Sequence, residues 1–222
     1  LAGAFVWFVE QVRFHHAENQ ARQLAGAVAH DLGERLDRSL SASYALATLV
    51  RQGKGRVDNF DTLGMEMLRV YGGITALQLA PGGTIANVVP LAGNEAVIGF
   101  SPLRDPVQGA ETQSVIEKRV LGLTGPFELK QGGVGVVGRH PIFLPDENGV
   151  ERFWGLTQVL IRIPDLLAAT RLNALAEGGY AYELWRIRPN ESGRHVFARS
   201  GEAALVRAVD VTIAVPNGEW VL

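Results

Sequence analysis

Gly133-Val134-Gly135-Val136-Val137-Gly138 runs directly into Arg139-His140-Pro141-Ile142-Phe143, and what this stretch becomes decides the fold. The glycines match Gly-x-Gly-x-x-Gly, the dinucleotide-binding pattern. That pattern works only when a strand precedes it and a helix opens after it, so that a pyrophosphate rests on the helix N-terminus. A proline among alternating apolar residues is no helix start. The glycines therefore read as a tight turn and a bend within a strand, and the chain reads as antiparallel rather than as a doubly wound parallel sheet.

The flanks follow the same period. Phe127–Lys130 and Gly135–Phe143 read as strands, and the turn Pro145-Asp146-Glu147-Asn148-Gly149 leads into a long apolar strand, Phe153–Ile163. Pro164–Leu175 reads as a short helix with proline in its first turn. Upstream, Asn59–Val70 reads as a helix capped by Asp58 or Asn59, burying Leu63, Met67, Leu68 and Val70 and stopped by Gly72-Gly73. A hairpin is expected from Ile74–Ala80 and Thr84–Val89 around Pro81-Gly82-Gly83. Val107–Val120 reads as a helix with Val115, Ile116 and Val120 inward. Downstream, Tyr180–Ile187, His195–Ser200 and Ala208–Val215 read as strands, and another begins at Trp220.

From Leu1 to about Val50 the chain lacks proline and is rich in Ala, Leu, Glu, Gln and Arg, a helix-forming mixture. Leu24, Val28, Leu32, Leu36 and Leu40 recur every fourth residue, a stripe that drifts round a helix. Gly26 and Gly33 weaken it locally, and Gln52-Gly53-Lys54-Gly55 ends it. A helix of about 50 residues is about 75 Å long, too long for a compact domain, so it is expected to be a stalk, a dimer seam, or both. Leu1–Val9, with Trp7, reads as the outer end of a transmembrane helix. The fold class is α+β: a long N-terminal stalk helix over residues 1–57, then two small antiparallel sheets flanked by helices, over 58–167 and 168–222. The chain reads as a piece of something larger.

Composition narrows the function. With 47% hydrophobic and 20% charged residues in 222, the chain is an ordinary folded protein. The net charge of −2 comes without a basic tract, which disfavours nucleic acid as a partner. The absence of cysteine removes disulfides, thiolate metal sites and Cys nucleophiles together. His15 and His16 diverge by about 100° on a helix, so they do not form a metal pair. No Gly-x-Ser-x-Gly elbow and no His-Glu-x-x-His occurs. No catalytic residue, metal or cofactor is expected.

The segment Pro90–Leu167 carries ordered motifs. They run from Pro90-Leu91-x-Gly93-Asn94-Glu95-Ala96-x-Ile98-Gly99 and Leu103-x-Asp105-Pro106 to Leu123-Thr124-Gly125-Pro126-Phe127-x-Leu129-x-Gln131-Gly132-Gly133-x-Gly135. Arg139-x-Pro141-Ile142-Phe143, Phe153-Trp154-Gly155 and Leu166-Leu167 follow. In these it resembles the CHASE domain, the extracellular sensory domain found ahead of histidine kinases and nucleotide cyclases. The resemblance implies that both sheets are PAS-like, a membrane-distal one that binds ligand and a membrane-proximal one that leads to a second membrane helix. It also implies a periplasmic or extracellular region of an inner-membrane protein, a homodimer held by the stalk helix, and a small-molecule ligand. The output domain would be a histidine kinase or a diguanylate cyclase or phosphodiesterase. Plant cytokinin receptors carry the same domain, and their hormone-binding aspartate falls at Ser101, so that contact is not carried over. The pocket wall is expected from Leu79, Ser101, Leu123, Gln131, Arg139, His140, Leu156 and Gln158, mostly apolar with a few polar groups. Facing inward, Arg139 would suit a carboxylate or phosphate on the ligand; facing outward, it would lay its stem on the sheet and reach solvent. His140 either points into the pocket or alternates outward. The competing function is a protein-interaction module with a closed pocket and an exposed apolar patch.

Overall fold

The computed structural model describes residues 2–222 apart from 190, 203, 204 and 207, and side chains from residue 15 onward except at 173. Helix α1, Ala2–Gln52, is continuous. The Leu1–Val9 side chains that would touch a membrane lie outside the described residues; among the described residues no helix is long and apolar enough to cross one. The chain divides into two compact units. One comprises residues 1–33, 170–214 and 219–222, the other 34–169 and 215–218. Helix α1 feeds both, because a four-residue spacing advances about 40° per step round a helix. Val28 and Leu32 are buried in the first unit, Leu36 and Leu40 in the second.

The second unit is built on a five-stranded antiparallel sheet, ordered β2-β1-β5-β4-β3. Its strands are β1 Ala76–Pro81, β2 Asn87–Val89, β3 Gly122–Glu128, β4 Val134–Pro145 and β5 Glu151–Arg162. The expected hairpin is present, with Leu77 opposite Val89. The Gly-x-Gly-x-x-Gly stretch is a turn and a strand: Gly132 and Gly133 take φ of 87° and 79°, and β4 runs on through Pro141. Gly138 lets α1 approach, since a Cβ there would lie 2.2 Å from Leu40 Cδ2. One face of the sheet therefore packs on α1. The other carries a core of Ala76, Ala80, Val88, Val137, Leu156 and Leu160, together with Phe127.

Helix α2, Phe60–Tyr71, differs from expectation at both its cap and its face. Asn59 takes the left-handed conformation, φ 54°, and its side chain makes no cap bond, whereas a capping residue needs extended backbone. Phe60 and Gly64 are buried, while Leu63 and Val70 are exposed. A Cβ on Gly64 would already sit 3.0 Å from the Val89 side chain, so the helix turns its smallest residue to the sheet. Helix α3, Gly109–Lys118, ends before Val120 because Arg119 is left-handed, and Val120 is exposed. The helix expected over 164–175 is two, α4 Ile163–Ala168 and α5 Leu172–Glu177. The break falls where the chain passes between units, so Leu166 is buried in one and Leu172 in the other.

The first unit holds a four-stranded sheet ordered β7-β6-β9-β8: β6 Glu183–Ile187, β7 Arg194–Arg199, β8 Thr212–Val215 and β9 Gly218–Val221. Its core includes Leu172, Leu175, Leu184, Ile213 and Trp220, with Phe197 edge-on to the Trp220 indole at 4.9 Å.

A candidate ligand site on the open face of the five-stranded sheet

Strand alternation decides which side chains can meet. On β4, Val137 and Arg139 point to the face away from α1. The register places Gln158 directly opposite Arg139, with Leu156 and Leu160 two residues either side. Gln78 lies across from Gln158 on β1, and Thr124 across from Val137 on β3. Arg139 is thus at the centre of the face, and only 1% of its surface is exposed.

Its guanidinium is held by neutral groups. Nε donates to Gln158 Oε1 at 3.0 Å, Nη1 to Thr124 Oγ1 and Nη2 to Gln108 Oε1. Thr124 can accept because its own hydroxyl donates to the Val137 carbonyl at 2.9 Å. Arg139 Cζ lies 5.5 Å from the Phe127 ring centre. A guanidinium has five N–H donors, so with three engaged, two make no hydrogen bond among the described residues. The buried Gln158 Nε2 also lacks a partner. The site therefore has more donors than acceptors.

The acidic groups stand one step back. Glu111 on α3 accepts from the Gly125 N–H at 2.9 Å. Asp105 Oδ1 accepts from the N–H groups of Val107 and Gln108, both at 3.0 Å, which fixes Gln108 at the start of α3. Burial pulls the Arg139 pKa well below the ordinary guanidinium range, to about 9, against the opposing charges of Glu111 and then Asp105. At neutral pH the group is still a cation.

A cover lies over this face. Val97 and Phe100, from the segment joining β2 to α3, pack on the Phe127–Leu160 core. Gln131 Nε2 donates to Asn94 Oδ1 at 3.0 Å, and Lys130 Nζ stands 5.0 Å over the Phe100 ring, so the turn before β4 is tied to the cover. Ser101 Oγ donates to the Gly83 carbonyl at 2.9 Å, fastening the cover to the hairpin turn.

Of the eight residues expected to form the pocket, Arg139, Leu156 and Gln158 share this face, and Ser101 and Gln131 hold its cover. Leu79, Leu123 and His140 lie on the other face, because each is one residue out of phase with the first three in the strand register. The His140 ring meets Tyr44 of α1 edge-on at 5.1 Å. Burial first and the Arg51 charge second lower the His140 pKa below 6.5, against a backbone hydrogen bond at Ser43. Gln108, Thr124, Glu111 and Asp105 were not expected at the site. Asp105-Pro106 and Thr124 do stand within the quoted motifs, but α3 must be packed onto β3 and β4 before their convergence on Arg139 is visible. Among the described residues no group of His, Asp and Glu is arranged to hold a metal ion.

Comparison with known proteins agrees on the architecture. The family model described as CHASE domain matches residues 9–194. An extracellular ligand binding receptor from Desulfohalobium retbaense DSM5692 superimposes with a TM-score of 0.68 at 15% identity, covering 91% of this chain. The chain spans 39% of that receptor's length. A structure titled methyl-accepting chemotaxis protein X superimposes at 0.56 with 16% identity, over 96% of this chain and 97% of its own. At such identities the likeness is one of fold. No curated protein matches the chain in sequence.

Proposed function

Since the chain belongs to the CHASE-domain family, a family of extracellular sensory domains, we propose that it senses a small anionic metabolite on the covered face of the five-stranded sheet, the one away from α1. One observation carries this reading: a buried guanidinium has only neutral hydrogen-bond partners, with two of its N–H groups and the adjacent Gln158 amide unmatched. A carboxylate or phosphate supplies both the missing acceptors and the missing charge, in the fork geometry that guanidinium favours. The ligand enters when the cover around Phe100 lifts. Its oxygens engage Arg139 and Gln158, and the apolar body lies on Leu156, Leu160 and Phe127.

In this reading the parent protein is an inner-membrane receptor, and the chain is its periplasmic or extracellular region, dimeric through α1. The closing of the cover around ligand is passed to a histidine kinase or a diguanylate cyclase or phosphodiesterase. No catalytic step is assigned to the chain. Such transmission rests on differential affinity alone: a ligand moves the equilibrium only as far as it prefers one state.

A second reading, a protein-interaction module, is supported by the closure of the face over Arg139 and by the exposed apolar residues of α2, Leu63, Met65 and Val70. One experiment separates the two. The chain is melted against carboxylates, phosphates, neutral sugars and amines. A ligand at 100 times its Kd adds about 2.7 kcal/mol, which raises the midpoint of a 222-residue chain by about 5–10 °C. Anion shifts that are lost in Arg139→Met support the sensor reading. No shift from any carboxylate or phosphate refutes it and leaves the interaction module.

A further inference from the structure

The unit containing the four-stranded sheet has a cavity of its own, of about 630 Å³. That is the size of a small-molecule site. Its floor is Ala17, Ala21 and Ala25 of α1, whose short side chains leave the space open, and Tyr180, Tyr182 and Trp185 supply aromatic walls. Three carboxylates, Glu18, Glu183 and Asp210, face one guanidinium, Arg194, so the lining is net negative by two.

The Arg194 guanidinium lies 4.3 Å over the Trp185 ring, and its nearest carboxylate is Asp210 at 3.9 Å. A cation between an indole face and a carboxylate is the arrangement by which proteins recognise organic cations. Here the protein supplies the cation from an exposed side chain, at 58% relative exposure, which can swing away without unpacking the core. Glu183, half-buried beside Trp185, makes no side-chain hydrogen bond or ion pair among the described residues. Glu18 pairs with Arg22 only at 3.4 Å and in the open, where such a pair contributes little.

We propose that this cavity is a second ligand site, which takes a small organic cation (an amine, guanidinium or quaternary ammonium on an apolar body) in place of Arg194 on the Trp185 face. Its ammonium is held by Glu183 and Asp210, and its body lies along Tyr180 and the alanine floor. The cavity also touches Leu222, whose N–H and carbonyl pair with Val211. Occupancy therefore bears on the strand end that closes the sheet.

The test is calorimetric titration of the chain with benzyltrimethylammonium, with benzyl alcohol as its uncharged counterpart. Saturable binding of the cation is expected, at least about threefold tighter than the alcohol and weakening as salt is added. Glu183→Gln and Asp210→Asn should each weaken it by about threefold or more. Arg194→Gln should tighten it, because the competing cation is gone, and a merely structural role for Arg194 predicts the opposite. Asp210 and Arg194 are exposed, so their variants should fold as the parent does. Equal affinity for the alcohol, no saturation, or unchanged affinity in both the Asp210 and the Arg194 variants would overturn the proposal. Arg139→Met should leave this binding intact, which keeps the outcome separate from that of the anion site.

Discussion

Replacing Arg139 by methionine separates a guanidinium kept for a ligand from one kept for the fold. Methionine has a similar reach, carries no charge and needs no hydrogen bonds. Two opposing effects decide the stability of the variant. A pKa pulled from the ordinary guanidinium range down to about 9 means that keeping the buried group charged at neutral pH costs about 5 kcal/mol, at 1.36 kcal/mol per pH unit. The substitution removes that cost. Against it, Gln108 Oε1, Thr124 Oγ1 and Gln158 Oε1 each lose a donor. At about 2 kcal/mol apiece for a buried orphaned acceptor, that is about 6 kcal/mol. The difference is about 1 kcal/mol, so Arg139→Met should melt only about 2–4 °C below the parent chain. The sign with pH follows. The cost is fully present below the folded value of about 9 and is relieved as pH rises above it, so stability should climb there in the parent and not in the variant. In the same melts, every anion that stabilises the parent should have no effect on the variant. A fall of more than about 4 kcal/mol, or an anion shift that survives the substitution, would refute the reasoning and make Arg139 a structural group.

Glu111→Gln keeps the acceptor for the Gly125 N–H but removes the carboxylate that opposes an incoming anion. Anion affinity should rise several-fold while the free protein becomes less stable, read from the same titrations and melts. Gly138→Ala should cost about 1–3 kcal/mol by overpacking, since the new Cβ meets Leu40 Cδ2 at 2.2 Å. The pair with Leu40→Val should cost less than the sum of the two, as chemical denaturation would show. His140 carries a lowered pKa, so the unfolded chain binds the proton more readily. Stability should therefore fall as pH drops below about 6.5, and His140→Gln should flatten that limb of a denaturation series between pH 7 and 5.

The fold was legible wherever a local rule decides the backbone. Pro141 inside an alternating stretch ruled out the helix that a dinucleotide site needs, and β4 follows from it. The four-residue stripe from Val28 to Leu40 announced a long helix with a drifting seam. Where tertiary contact decides, the sequence misleads. Leu63 and Val70 have the side chains of a buried face, yet α2 buries Gly64, because the closest approach to Val89 selects the smallest residue. The site divides the same way. Arg139, Leu156 and Gln158 were legible because they sit in register on neighbouring strands. Leu79, Leu123 and His140 went to the wrong side through phase: one residue along a strand reverses the face, and the bulge between Thr124 and Phe127 hides the phase of β3. Gln108 and Thr124 carry no local signal at all, since neutral polar residues acquire meaning only when a buried charge needs them.

The energy stored at Arg139 has the size a switch requires. Moving a two-state element from 1:99 to 99:1 takes about 5.5 kcal/mol of differential affinity. Keeping this buried guanidinium charged costs about 5 kcal/mol in the ligand-free state. An anion that meets the charge recovers much of that, and only with the cover closed, where the surroundings are dry and the interaction is strong. With the cover lifted, the same ion pair is solvated and contributes about 1 kcal/mol or less. On the proposed reading the preference for the closed state thus comes from burial acting on one charge, not from a large contact area. A neutral ligand of the same shape would then bind without switching.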